Sequence, residues 1–442
     1  MWGGSAALVA VFTFLLYVQP IWALGLLCFA RPIMALTLET FFYLGPFRMN
    51  VLAVYGLVTV GMMIVLMLVK RRIEMPKYIG YQMGFLLLFL AASLVYSVAP
   101  SEGIGDLWRI ITPCVYFCFT YNFVKEQKDV SAIYKSVALG SIVPVLFGFY
   151  QAITGKFLHE VDSGPLIRID STFWVATNYA NYLLVIIFAS AFLLLLQKPR
   201  HRFIYLLTLA GGVISLLLTY GRGSILALVF GSGAWLILRR DRWVTIPMAI
   251  LLGLLVVVSM PSLRSRFIEV TTVKEVGQTG WDSRQTIWKA GFSALKKSPV
   301  FGYGFGSATT VLKNVLHRKN VILPHNDYLR ILLDVGLIGI MVFAFLIVNL
   351  LRNVWHGARK VKNHFTAELC RMNVGLLASF CVAMSGENIL TDVTTTSYLF
   401  MSLACALRMQ ALDVESIDAD SHPLTTLQPA YLRKYYAYSL RK

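Results

Sequence analysis

Charge is what this chain has least of. Only 14% of its 442 residues are charged, 57% are hydrophobic, and the mean hydropathy is +0.67. A soluble domain carries about a quarter of its residues as charges, so a soluble protein with one apolar anchor is excluded. Apolar segments near 5–29, 51–69, 79–98, 108–124, 131–151, 173–196, 203–219, 223–238, 243–260, 329–351, 367–388 and 394–410 recur along the chain. A helix needs roughly 20 such residues to cross the hydrocarbon of a bilayer. The segments lack the strict alternation of barrel strands, which leaves helices as the spanning structure. The expected fold is all-α: a polytopic integral membrane protein of about twelve transmembrane helices. Gln19-Pro20 can split the first span, whereas Pro113 and Pro144 are expected to kink their helices.

Other absences narrow the chemistry. The six cysteines include no C-x-x-C pair and no Cys/His cluster, which speaks against a disulfide framework or a zinc site. No acidic cluster suited to a metal falls on the outward side, so neither metal nor cofactor is expected. Asp418-Ala-Asp420 has the D-x-D pattern but sits in a polar tail, where a solvated acidic patch explains it. Glu387 and Asp392, near the last outward turn, read as a structural cap or pair. The start lacks a basic n-region and a small-residue cleavage site, so Ser5–Phe29 reads as a retained span. No internal repeat stands out. The expected organisation is a transmembrane domain over 1–410, including an outward loop at 261–328, and a cytoplasmic tail over 411–442.

Basic residues outnumber acidic ones, 40 to 22, for a net charge of +18. Nucleic acid is one partner such a balance can indicate. In a membrane chain the excess first reports topology, because Lys and Arg collect in cytoplasmic loops. One set of short loops, with Lys70–Lys77, Lys125–Lys128, Lys198–Arg202, Arg239–Arg242 and Arg352–Lys362, carries 16 Lys and Arg against 6 in the opposite set. The opposite set carries few, among them Arg109, Arg168 and Arg222. The first set is therefore expected inside, with both termini, and the loop at 261–328 outside, periplasmic in a bacterium with an outer membrane. Nucleic acid is not expected as a partner.

That loop is rich in Lys and Arg, and a loop so long is largely exempt from the topology rule. Anionic headgroups or an anionic substrate would account for it. Within it, Trp281–Pro299 reads as an amphipathic helix with Ile287, Trp288, Phe292 and Leu295 on one face, expected along the bilayer surface. Phe301-Gly-Tyr-Gly-Phe-Gly306 follows and reads as a turn. The loop ends in Leu323-Pro-His-Asn-Asp-Tyr-Leu-Arg330, which sets a titratable imidazole, His325, at the mouth of the next span. Asn326 and Asp327 suit the cap of that span. Alone, His325 would be a polar anchor, Arg222 a snorkelling side chain and Arg168 the partner of Asp170. All three, with Arg284, are expected on one side of the membrane.

Taken together these residues resemble the bacterial O-antigen ligase/polymerase family. The marks are H-N-x9-G at His325, Asn326 and Gly336; Arg284 with Trp288, followed by Pro299, Gly302 and Gly304; the turn at Arg222; and Phe173, Asn178 and Ala180. They cover roughly 165–340, and Gly221 stands where the family pattern suggests Ser. The resemblance implies a GT-C-like fold and a metal-independent, inverting glycosyltransferase. Such an enzyme moves a glycan from an undecaprenyl-diphosphate carrier to an acceptor hydroxyl outside the inner membrane. It further implies His325 as catalytic base, Arg222, Arg284 and Arg168 as diphosphate-binding groups, and Asn326, Asp327 and Tyr328 in support. The acceptor is a growing glycan (a polymerase, slightly favoured on the P-H-N-D-Y-L-R run) or lipid A-core (a ligase). A flippase or transporter of lipid-linked oligosaccharide is the rival of another class; its charges would line a path through the membrane.

Overall fold

The computed structural model describes residues 14–34, 41–44, 47–158, 168–196, 199–239, 280–317 and 323–421. The segment expected to span 243–260, the start of the outward loop and the far end of the tail lie outside the described residues. The described chain is helical apart from one short antiparallel hairpin, β1 (Phe41–Leu44) on β2 (Phe47–Asn50), which the all-α expectation did not include. The helices are α1 Pro20–Met34, α2 Val51–Val69, α3 Lys77–Ser93, α4 Pro100–Phe123, α5 Gln127–Gly140, α6 Ile142–Thr154 and α7 Ala176–Leu196. Then follow α8 Pro199–Leu218, α9 Arg222–Leu238, α10 Gly280–Leu295, α11 Ala308–Leu316, α12 Asp327–Lys360, α13 His364–Ala383 and α14 Val393–Ser421.

Among the described residues, five helices or joined pairs are long and apolar enough to cross a membrane; Pro20–Met34, Ala53–Val69, Arg202–Leu218 and Arg222–Leu238 are apolar but shorter. The chain is thus an integral membrane protein. Gln19 interrupts the first apolar segment just before α1. Pro113 is carried inside α4, while Pro144 stands two residues into α6, just past the joint at Ser141. Helix α14 continues to Ser421, past the boundary expected at 410.

Packing follows the small residues. Helices α9 and α13 cross where Gly231 faces Gly375: a Cβ on Gly231 would fall 2.4 Å from the Gly375 carbonyl, and one on Gly375 2.6 Å from the Gly231 carbonyl. Close backbone approach of this kind is how helices associate without a hydrophobic drive between them. Around that contact, α14 packs on α4, α7 on α8, α1 on α5, and α12 on α3 and α13. Buried aromatic and aliphatic side chains of α7, α4 and α14 fill the centre, with Tyr179, Tyr182, Phe188, Phe117 and Tyr398 almost wholly enclosed.

Helix α12 is broken. Gly336 has φ 64° and ψ −162°, so the first nine residues and the long remainder are two helical pieces. The break frees backbone donors, and a freed donor away from water must find a partner. Leu337 N–H donates to the Pro299 carbonyl (2.9 Å) and Ile338 N–H to the Val300 carbonyl (3.3 Å), while Tyr303 N–H donates to the Leu333 carbonyl (2.9 Å). The glycine-rich stretch after Pro299 is therefore a wedge. A Cβ on Gly336 would meet the Val300 carbonyl at 2.2 Å, and one on Gly302 would meet the Asp334 backbone at 2.7 Å. Both glycines have positive φ, which other residues adopt at a cost.

Candidate active site

The wedge and the broken helix hold α10, α11 and the His325 loop in place. The apolar face of α10 was expected on the bilayer surface. Instead Ile287, Trp288, Ala290, Ala294 and Leu295 pack on α11 and on Leu329 and Leu333 of α12, forming a second small core. Phe292 does not join it and is 53% exposed. Periodicity reveals an apolar face but not what covers it, and here protein covers most of it. Trp288 Nε1 donates to the Pro324 carbonyl at 2.8 Å, tying α10 directly to the residue before His325.

That tie sets Arg284, one turn earlier on α10, beside the His325 loop. His325 has φ 48°, in the left-handed region. A non-glycine residue held there is uncommon and is often found at a functional site. The next three residues fasten the loop to its neighbours. Asn326 caps α12 by accepting from Leu329 N–H (3.0 Å). Asp327 is buried; its N–H donates to the Met384 carbonyl (2.9 Å) and its Oδ2 accepts from Leu390 N–H (2.9 Å). Tyr328 donates its hydroxyl to the Cys381 carbonyl (2.7 Å). The Asp327 and Tyr328 contacts hold the α12 entrance against the end of α13 and the turn after it.

That turn supplies the residue sequence reasoning missed. Glu387 reads from sequence as a cap, yet it stands between the two proposed functional groups. Its Oε1 accepts from Arg284 Nη2 at 3.3 Å and its Oε2 lies 3.5 Å from His325 Nδ1. The Glu387 side chain is 7% exposed, whereas His325 is 38% exposed. The carboxylate thus faces Nδ1 from the protein side and leaves Nε2 as the other nitrogen of the ring. A carboxylate on one ring nitrogen fixes the tautomer in which the opposite nitrogen can accept a proton. The one signal available in sequence was an acid on the outward side, and that alone does not name a partner 62 residues along the chain.

Arg222 and Arg168 meet at the turn joining α8 to α9. Arg168 donates from Nε to the Thr219 carbonyl (3.1 Å), in the turn joining α8 to α9. Arg222 opens α9, exposed. The following Gly223 faces Glu387: a Cβ there would stand 3.8 Å from Glu387 Cγ. Gly221 packs on Ala180, where a Cβ would come within 3.1 Å of the Ala180 methyl, and Ser224 donates to Asn181 Oδ1 at 2.9 Å. The segment at Phe173–Ala180 is thus the bed of the Arg222 turn. A chain of contacts runs from Arg168 through this turn to Glu387, and from Glu387 to Arg284 and His325.

Nearby charges are already paired. Arg330 is buried and pairs with Asp106 and, at 3.8 Å, with Asp334; Asp334 also accepts from Ala308 N–H at 2.7 Å. The arginine of the His325 run therefore braces α12 against α4 and α11. Asp392, at the end of the same turn as Glu387, caps α14 by accepting from Thr394 and Thr395 N–H (3.1 and 3.3 Å). Burial pushes its carboxyl above the usual range, and the hydrogen bonds from Thr395 pull it back. No group of three or more His, Cys, Asp or Glu side chains that could hold a metal ion occurs among the described residues.

Residues 207–344 match the family model described as O-antigen ligase. No curated protein matches the chain. The matched stretch contains Arg222, Arg284, His325 and the break at Gly336, and stops before Glu387.

Proposed function

We propose, from the match of residues 207–344 to the family model described as O-antigen ligase, that the chain is a multi-pass glycosyltransferase of surface polysaccharide assembly. It moves a glycan from an undecaprenyl-diphosphate carrier to a sugar hydroxyl at the outer face of the inner membrane. The observation that carries this reading is the position of Glu387 between Arg284 and His325, beside the Arg222 turn. A base and fixed guanidinium groups at one end of a helix bundle are what the reaction needs. A transporter would instead need charges spaced along a path across the membrane.

The acceptor oxygen attacks the anomeric carbon from the face opposite the carrier. As that bond forms, the bond from the anomeric carbon to the diphosphate oxygen breaks, and the electron pair leaves with the diphosphate. The hydroxyl proton passes to His325 Nε2. Glu387, on Nδ1, stabilises the imidazolium that results. Arg284 and Arg222 hold the diphosphate, with Arg168 assisting by fixing the Arg222 turn. Charge builds on the departing oxygen, and preoriented guanidinium donors stabilise it better than water that must reorganise. One such donor is worth about 3 kcal/mol. Arginine remains charged throughout, so it can take the place of a divalent metal at a diphosphate. Asn326, Asp327 and Tyr328 act as positioning residues through the loop they pin.

Two acceptors fit. Chain growth on a lipid-linked repeat is the slightly favoured reading from the Pro324–Arg330 run; transfer to lipid A-core is favoured by the description of the matched family. Purified protein given a lipid-linked repeat unit, with and without lipid A-core, tests both. Product lengthening without core identifies a polymerase, and a strictly core-dependent product identifies a ligase. No transfer in either arm, with the donor instead moved between leaflets, would replace the enzyme by a transporter. Excess EDTA should leave the product yield unchanged, and loss restored by magnesium would reject the arginine-only handling of the diphosphate.

A further inference from the structure

A basic cavity lies at the other end of α9 from the Arg222 turn. Helix α9 begins at Arg222, and at 1.5 Å per residue its C-terminal residue Leu238 lies roughly 25 Å from there. Beyond it a cavity of about 630 Å³ opens between the end of α9, the end of α12 and the start of α13. Arg239, Arg359, Arg371 and His364 supply its polar lining, with one carboxylate, Glu368.

That carboxylate is spent internally. Glu368 is buried and takes Arg239 Nη1, Arg371 Nη1 (3.1 Å) and the indole N–H of Trp235 (2.9 Å). It orients two guanidinium groups, and among the described lining residues three arginines face a single acid. The Nε of Arg371 is buried and has no hydrogen-bond partner among the described residues. An orphaned donor at a partly buried guanidinium is costly unless something binds it. On the rim, Ile237 is 80% exposed and Trp355 40% exposed. An apolar rim with an indole beside arginines is the composition of a membrane interface.

We propose that this cavity binds the phosphate headgroup of an anionic membrane lipid in the leaflet opposite the His325 site, with the acyl chains passing over Ile237 and Trp355. A phosphate fits because guanidinium forks match its oxygens geometrically. A lipid fits better than a soluble phosphate because the apolar rim continues directly from the basic interior. The inference does not depend on the transfer reaction.

The test uses the full chain purified in detergent, with phosphatidylglycerol or phosphatidylcholine added and bound lipids counted by native mass spectrometry. One phosphatidylglycerol should bind preferentially. Arg359→Glu should weaken it about tenfold or more, since each basic side chain at a membrane surface contributes about one factor of five to ten toward an acidic lipid. Arg371→Gln, which removes the guanidinium but keeps a polar side chain, should weaken it similarly. Arg352→Glu, the same charge reversal on an exposed face of α12 outside the cavity, should have little effect. Equal binding of the two lipids, or equal loss in Arg352→Glu and Arg359→Glu, would overturn the proposal. Displacement of the lipid by millimolar inorganic phosphate would also overturn it, by showing a site for the free anion.

Discussion

Glu387 Oε2 lies 3.5 Å from His325 Nδ1, and the other oxygen of the same carboxylate takes Arg284 Nη2 at 3.3 Å. One acid from the turn after α13 thereby couples the proposed base on the α12 entrance to a proposed phosphate-binding group on α10. Removing its charge while keeping its shape isolates that coupling. Glu387→Gln should lower kcat about 10²-fold or more, within the range of a general base. Donor KM should change less than kcat, and thermal unfolding should stay close to that of the unaltered protein. Steady-state kinetics with a lipid-linked donor give the comparison; unaltered kcat would show that His325 works without the carboxylate.

Arg284 tests the other arm. Arg284→Lys keeps the charge but not the planar fork, and a point charge cannot reproduce two parallel donors on a phosphate. Activity should fall by roughly 10²-fold, the scale of one preoriented donor. Near-normal turnover in the lysine variant would mean that Arg284 supplies only bulk positive charge.

Gly336 tests the scaffold. An added methyl would meet the Val300 carbonyl at 2.2 Å, at a φ of 64°. Gly336→Ala should therefore destabilise the protein by about 2 kcal/mol or more, combining backbone strain with overpacking. A lowered unfolding midpoint in detergent checks this. Gly233, with nothing within 4 Å of a Cβ at that position, is the control, and Gly233→Ala should leave the midpoint near its original value.

The membrane class was legible because long apolar segments with few charges have one physical outcome in lipid. That Arg168, Arg222, Arg284 and His325 belong on one side of the membrane is an expectation from topology and family resemblance; which of them come together is not legible in the sequence. Glu387 was not. An acid near a span end has many ordinary uses, and its meaning lies in contacts made 103 residues from Arg284 along the chain. Gly336 is visible in the sequence as a family mark, while the contact it permits is with the Val300 backbone at a break in the helix. The apolar face of α10 was visible as a period and assigned to the bilayer, because spacing carries no information about the surface that covers it. Arg330 stands in the same run as His325, and only its buried contacts with Asp106 and Asp334 separate a bracing arginine from a binding one.

The most direct measurement is transfer by purified His325→Ala protein, set against unaltered protein inserted and folded to the same extent. Product formation should drop about 10²–10⁴-fold, the usual contribution of a general base, while lipid-linked donor still binds through the arginines. Transfer at the original rate would contradict the proposed chemistry, however close His325 stands to Glu387.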